Sequence, residues 1–322
     1  MGFLNISILK QVGLGFSFFF NTLSWIWKNR GKEKYIIMDA SYITAIPFVL
    51  FASKFGKCKT SAIFCDIYEY MAEVKDARNN ENVSLTRRIA RKLTSHNYRK
   101  LDSFILLTEQ MNSVVNTKNR PYIVIEGLVD INMKAENNDI KYKEQNDVIL
   151  YAGILKEKYG LKNLIEGFKN YKGNNARLWI FGTGEYASEV QKNVLLDKRI
   201  EYFGLVNLDE VVKHEIKATL LVNPRPTDED FTKYSFPSKN LEYMVSGTPI
   251  LTTKLPGMPL EYYDYIYTID GNTKKDITIA LENFLSKSDE ELHEKGNKAK
   301  KFVLENKNNI IQTKKIIKLI SK

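Results

Sequence analysis

The sequence predicts an α/β protein of two doubly wound domains facing each other across a cleft. Three observations carry that expectation. Helix and strand signals alternate along the chain, which argues for parallel sheets with helices on both faces. A polar stretch at Lys134–Asp147 interrupts the alternation once, and the pattern restarts after it. The length, 322 residues, suits two domains.

The elements follow in order. Phe16–Trp27 is strongly apolar, but Lys10 and Gln11 precede it, Asn21 interrupts it and no small-residue cleavage site follows. Its unbroken run is shorter than the ~20 residues of a membrane span. Leu14–Trp27 therefore reads as a helix packed on a sheet, with a membrane-associated helix as the alternative. Tyr35–Asp39 is a short buried-type strand, Ala45–Phe55 an apolar helix ending near Gly56, and Thr60–Asp66 a second strand. Leu85, Ile89 and Leu93 lie at helical spacing among Arg87, Arg88, Arg91, Lys92, Arg99 and Lys100. Ser84–Lys100 is thus a basic amphipathic helix, with either a solvated or a membrane-facing basic side. Strands at Ser103–Thr108 and Tyr122–Glu126 complete a first domain over residues 1–133, and 134–147 form the linker.

The second domain spans 148–305. Strands are expected at Val148–Ala152, Arg177–Phe181, Ile200–Phe203, Thr219–Asn223, Pro249–Thr252 and around Tyr267 and Ile269. Helices are expected at Leu161–Tyr171, around Val190–Lys192, and at Leu208–Lys217, Ser238–Val245, Thr273–Leu285 and Asp289–Glu305. Ile310–Ile320, within 306–322, ends the chain as a helix expected to pack back on the first domain.

Composition narrows the function. With 43% hydrophobic and 27% charged residues the chain buries an ordinary core. Cys58 and Cys65 are too few for a disulfide framework and show no CxxC spacing, which fits a reducing cytoplasm. Three histidines, His96, His214 and His293, leave little material for a zinc site or a triad. The net charge of +10 suits phosphorylated substrates, an anionic membrane face or nucleic acid. Nucleic acid is disfavoured, because only Tyr98 offers a stacking ring near the arginines. A dinucleotide-dependent dehydrogenase is disfavoured because no Gly-x-Gly-x-x-Gly follows the first strand of either domain.

In doubly wound sheets ligands bind at the carboxyl ends of the strands. Four loops of the second domain converge there. Gly153 and Lys158 follow the first strand, and Gly182, Thr183 and Gly184 the second. Arg225 follows Thr219–Asn223, and Tyr234-Ser235-Phe236-Pro237-Ser238-Lys239 opens a helix carrying Glu242. Pro237 suits a helix start, and Ser235 and Ser238 are both capping residue types. Glycine turns permit close backbone approach, cations neutralise phosphate, free helix N–H groups hold an anion, and a carboxylate accepts from a diol. Together these groups suit a nucleoside diphosphate.

These residues also resemble a family. The stretches YAGILKEKYGLKNL (151–164), WIFGTGE (179–185), NPR (223–225) and YSFPSKNLEYMVSGTPILTT (234–253) look like the donor-binding half of a family 4 glycosyltransferase with the GT-B fold. CDIYEYM (65–71) and IVIEGLVD (123–130) look like bacterial enzymes of surface-polysaccharide assembly. The resemblance implies that Glu242 holds the donor ribose, Lys158 meets the diphosphate, and amides around Ser235–Ser238 and Gly182–Gly184 cradle phosphate and sugar. It implies transfer of a hexosyl residue from a UDP- or GDP-sugar, with retention and without cofactor or metal. The acceptor would be lipid-linked or polysaccharide, in capsule, O-antigen or exopolysaccharide synthesis, with the enzyme peripheral to the cytoplasmic membrane face. Asp66 would lie near acceptor or donor sugar, with a strand-end cap as the other reading. Asp228-Glu229-Asp230 looks like a metal-binding Asp-x-Asp, but a solvated acidic loop is favoured.

Three departures stand against the family pattern. Tyr234 occupies the position where a glutamate often stands eight residues before Glu242. Ile154 replaces the arginine common after the first-loop glycine, a cation that Arg225 is a candidate to replace. Only about 34 residues precede the strand at Tyr35, so the first domain is expected to be short by a strand–helix unit, with an incomplete sheet and an exposed apolar edge. The alternative to an active enzyme is a remnant or partner subunit that binds nucleotide without transfer.

Overall fold

The computed structural model describes residues 7–67, 94–133, 137–228 and 230–321. They form two compact units. Unit 1 holds the chain up to Glu126, Lys233–Ser235 and the residues from Thr313 on; unit 2 holds Gly127–Thr232 and Phe236–Gln312.

Unit 1 contains α1 (Ser7–Lys28), β1 (Tyr35–Asp39), α2 (Ile46–Ser53), β2 (Lys59–Phe64), β3 (Ser103–Leu106), α3 (Asn112–Val115) and β4 (Tyr122–Val124). The strands pair in parallel in the order β1-β2-β3-β4. Pro47 sits in the first turn of α2, where its missing N–H costs no helical hydrogen bond. Ile46, Val49 and Leu50 of α2 pack with Ala62, Phe64, Phe104 and Leu106 to form the core. Two polar ties hold the register: Asp102 accepts from Thr60 N and Oγ1 at 2.8 and 3.0 Å, and Ser61 Oγ and Ser103 Oγ share a buried hydrogen bond of 2.5 Å. β1 is the sheet's edge among the described strands, and Ile37 on it is 40% exposed. Residues 94–98 are helical, with Tyr98 edge-on to Phe64 at 4.8 Å. The rest of the expected basic helix, with Arg87, Arg88, Arg91 and Lys92, lies outside the described residues.

Unit 2 contains β5 (Asp147–Ala152), α4 (Leu161–Asn170), β6 (Ala176–Phe181), α5 (Ala187–Leu196), β7 (Ile200–Gly204), α6 (Leu208–Lys217), β8 (Leu220–Asn223), α7 (Ser238–Ser246), β9 (Ile250–Thr253), β10 (Tyr267–Ile269), α8 (Lys274–Leu285) and α9 (Asp289–Asn306). α10 (Asn309–Ile320) starts in this unit, and its residues from Thr313 group with unit 1. The six strands are parallel, in the order β10-β9-β8-β5-β6-β7. Counting β5 as the first, this is the doubly wound Rossmann order, and it reverses direction between β5 and β8. Strand runs such as Ile149-Leu150-Tyr151-Ala152 are buried throughout, as a sheet covered on both faces requires. Thr273 closes a capping box with Asp276 at the start of α8.

The polar stretch before β5 is bound to unit 2 over its described part. Asn138 Nδ2 donates to Ser246 O and Thr248 Oγ1 at 2.9 Å each. Lys143 Nζ donates to Ile216 O, Ala218 O and Thr248 Oγ1 at 2.8 Å each. Its polar residues satisfy carbonyls left over at the C-terminal ends of α6 and α7, a role that loop composition alone does not reveal.

Candidate functional site

The carboxyl ends of β5 and β8 flank the switch point, where a doubly wound sheet opens a crevice for a ligand. The loops there lie backbone against backbone. Gly160, at φ +85°, faces Pro224 so closely that an added Cβ would overlap the Pro224 carbonyl. Gly182, at φ +122°, abuts the Gly153 carbonyl in the same way. Both positions therefore require glycine, on conformation and on space. Leu155 N donates to Thr183 O at 2.9 Å and Gly153 N to Phe181 O at 3.1 Å, so the loops after β5 and β6 form one surface. The Gly182 amide donates to Gly204 O at 2.7 Å, so this amide, expected to face phosphate, instead holds the end of β7.

Lys158 lies in a single 3-10 turn, Glu157–Tyr159, whose end is fixed by Gly160. Arg225 follows β8 and stacks over the Tyr159 ring, its guanidinium carbon 4.8 Å from the centroid. Its carbonyl accepts from Thr253 Oγ1, which fastens the β8 loop to β9. Lys158 and Arg225 thus stand on the two sides of the switch point, one on the β5 loop and one on the β8 loop.

α7 supplies the remaining groups. Neither Ser235 nor Ser238 caps it, contrary to the expectation from residue type. Pro237 is the N-cap residue, and among the described residues no side chain bonds the first turn. A helix start in this condition leaves N–H donors for an anion. Glu242, one turn in, pairs with Lys239 across 2.6 Å, and the two side chains are 38% and 29% exposed.

Four residues to which the sequence reading gave no individual role shape this site. Asn223, the last residue of β8, donates through Nδ2 to Asn240 Oδ1 at 2.7 Å, leaving the buried Asn240 Nδ2 with no partner among the described residues. Tyr243, fully buried, accepts from Ala152 N at 2.7 Å and donates to Ala152 O at 3.1 Å, which ties α7 to the end of β5. Glu215 on α6 is 2% exposed; burial pushes its carboxyl up to about 7, with Lys239 acting in the opposite direction. Asn223, Asn240 and Tyr243 lie within the quoted stretches, but their roles depend on partners distant in sequence, and Glu215 stands in no such stretch.

Other predicted residues have packing roles. Phe236 is buried against Tyr262, ring centroids 5.2 Å apart, and anchors the loop before α7. Tyr234 belongs to unit 1, where it packs against the core. Ser235 Oγ is buried with no partner among the described residues. Asp66 is exposed two residues past β2, at the carboxyl edge of unit 1's sheet. Asp39 and Asp66 both push the neighbouring Cys65 thiol up, after burial, so acidic charge gathers at this edge. Of the acidic triplet, Glu229 lies outside the described residues, and Asp228 accepts from Asn272 at 3.4 Å. Among the described residues no group of three His, Cys, Asp or Glu side chains is placed to hold a metal ion.

Comparison with known proteins follows this geometry. No curated protein matches the chain. Anabaena HepE in complex with UDP superposes with a TM-score of 0.67 at 11% identity, covering 93% of this chain and 81% of that one. A glycosyltransferase from Rickettsia africae superposes with a TM-score of 0.67 at 13% identity, covering 99% and 83%. The lipopolysaccharide outer core galactosyltransferase WaaB, in its apo form, gives a TM-score of 0.65 at 16% identity over 98% and 81%. At these identities the likeness establishes the fold, which is GT-B with two Rossmann-like units. The family described as glycosyl transferases group 1 matches residues 132–302, more than half of the chain and all of the crevice. The chain belongs to that family and is a glycosyltransferase.

Proposed function

We propose that the chain transfers a hexosyl residue, with retention, from a UDP- or GDP-sugar to a lipid-linked or polysaccharide acceptor in capsule, O-antigen or exopolysaccharide synthesis. The observation that supports it best is the convergence at the switch point of unit 2. Two glycine-built loops, Lys158, Arg225, an uncapped helix start and Glu242 meet where a doubly wound sheet binds its ligand. The neighbour from Anabaena was solved with UDP, which agrees with this donor class.

In this reading Glu242 accepts from the two ribose hydroxyls, giving up Lys239 as it does so. Lys158, Arg225 and the first amides of α7 surround the diphosphate. Charge builds on the diphosphate as the glycosidic bond breaks, so donors already aimed at it lower the barrier. Thr183 and Gly184, with Ser238, border the sugar. Asp66, at the carboxyl edge of unit 1's sheet, is the candidate group for the acceptor or donor sugar. The donor needs no metal, because cations and helix dipole together meet the diphosphate charge. The enzyme works at the cytoplasmic face of the membrane as a peripheral protein.

Titration calorimetry with UDP and GDP tests the donor site. One nucleotide is expected to bind, and Glu242→Ala to weaken it about ten- to a hundredfold, the range for charge-assisted hydrogen bonds. A folded protein that binds neither nucleotide removes this reading.

A further inference from the structure

α1 carries more apolar surface than its packing uses. Gly13, Ser17, Asn21, Ser24 and Lys28 form one narrow polar stripe, and roughly two thirds of the circumference is apolar. The buried contact with α2 and the turn after it is narrow. Gly15 lies against the Phe48 ring and Ile26 against Gly56, flanked by the Phe16–Phe48 and Phe19–Phe51 ring pairs at 5.2 and 5.8 Å. Beside this seam large rings face outward. Phe20, Phe19, Phe51 and Phe55 form a continuous ladder of ring contacts, with centroids 5.3 to 5.8 Å apart. Phe20, Phe51 and Phe55 are 63%, 56% and 65% exposed, and Trp27, two turns beyond Phe20 on the same flank, is 65% exposed.

The charge in this part of the chain is predominantly positive. Residues 7–65 contain eight lysines and arginines but only two acids, Glu33 and Asp39. Exposed Lys28, Arg30, Lys54 and Lys57 border the rings, with Arg30 over Trp27 at 5.2 Å. Exposed Phe and Trp rimmed by cations match the headgroup layer of an anionic bilayer, where rings enter the interface and cations meet phosphates. A second copy of the chain fits less well. Two-fold pairing sets the patch against itself and each cation against its like. No helix of the described residues is long and apolar enough to cross a membrane, so the surface would lie on the bilayer.

We propose that the face formed by Phe20, Trp27, Phe51 and Phe55, with Lys28, Arg30, Lys54 and Lys57 at its rim, docks the enzyme on an anionic membrane. This identifies the surface for the membrane contact in the proposed function and takes its purpose, though not its physics, from that reading. The test is flotation of the full chain with vesicles of phosphatidylcholine alone and of phosphatidylcholine with roughly one quarter phosphatidylglycerol. The protein is expected to float with the second and not the first, and to release as salt is raised. Phe20→Ser/Phe51→Ser/Phe55→Ser should abolish flotation while lowering Tm only modestly and leaving UDP binding unchanged, since all three rings are more than half exposed. Lys54→Ala should weaken vesicle binding about fivefold, corresponding to about 1 kcal/mol per basic residue. No flotation of the folded protein overturns the proposal, as does flotation that the triple variant leaves intact. A dimer that the triple variant dissolves overturns it too, by giving the face to a second copy. Flotation without UDP binding supports the docking face and removes only the donor reading.

Discussion

Both units are built from parallel strands joined by crossovers, but they arrange them differently. In unit 1 the described strands lie side by side in chain order, β1 to β4, with no reversal among them. In unit 2 the order reverses between β5 and β8, which sends helices to both faces and opens a crevice at the reversal. In unit 2, Gly160 and Gly182 stand against neighbouring carbonyls, whereas in unit 1 an added Cβ at Gly13 of α1 would meet nothing within 4 Å. Gly160 and Gly182 are thus positions that tolerate little change and Gly13 one that tolerates much, while Gly15, half a turn on in the same helix, is closed by the Phe48 ring.

Glycine substitutions give the largest expected effect on this contrast. Gly160→Ala must place a Cβ into the Pro224 carbonyl at a left-handed φ, and about 3–5 kcal/mol of stability should be lost in urea denaturation. Gly13→Ala should instead stabilise by up to about 1 kcal/mol, because the helix interior gains propensity and the space is open. Equal effects at the two sites would remove the contrast.

Glu215 comes next. Its buried carboxyl titrates near 7 in the folded protein, above its ordinary 4.5, so the folded state holds a proton that the unfolded state has released. Lys239, Glu242 and Tyr243 on α7 face the same charge, with Lys239 lowering and Glu242 raising the carboxyl. Its contribution is present below pH 4.5 and is lost as pH rises towards 7, on the order of 3 kcal/mol in all. Glu215→Gln should flatten that part of the stability profile and make the protein more stable than wild type at pH 8. A variant profile parallel to wild type from pH 5 to 8 would show that Glu215 does not carry it.

Much of unit 2 was legible because its signals are local. α6 runs over Leu208–Lys217, the span predicted from its periodicity, and β6, β8 and β9 start one residue from expectation. Gly160, Gly182 and the Pro237 helix start carry backbone demands that show in the residue type itself. What stayed hidden depends on partners distant in sequence. Tyr243 is one of 18 tyrosines until the fold sets it against Ala152, 91 residues away. The Ser-Phe-Pro-Ser start suggested a side-chain cap, but Pro237 takes the cap position and among the described residues the helix has no side-chain cap bond. In unit 1 the strand Tyr35–Asp39 and the apolar helix before it were visible, the helix starting at Ser7 rather than at the expected Leu14. The rings left outside were not, because an apolar helix reads the same whether one flank or three are covered.

Tyr243→Phe sharpens the comparison at intermediate size. It removes the hydroxyl from Ala152 N and O and leaves a buried amide without its acceptor, which costs about 1–3 kcal/mol. Because that hydroxyl joins the end of β5 to α7, UDP affinity should fall with stability, measured by titration beside a thermal melt. The corresponding change in unit 1, Ser61→Ala at the buried Ser61–Ser103 pair, should lower stability and leave UDP affinity unchanged.

The smallest expected change in stability is at Lys239. Its bond to Glu242 is an i,i+3 pair on a partly exposed helix face, and such pairs contribute about 0.3–0.5 kcal/mol. Lys239→Met keeps an aliphatic stem and gives up only the ion pair and the Nζ contact 5.8 Å from the Tyr243 ring centroid, so the melting temperature should barely move. If Lys239 turns from Glu242 to the diphosphate when nucleotide binds, UDP affinity should drop about tenfold, and adding salt should weaken wild type more than the variant. If Lys239 only occupies Glu242, removing it frees the carboxylate and UDP should bind more tightly. The two outcomes have opposite sign in a single titration, and a stability difference cannot mimic either one.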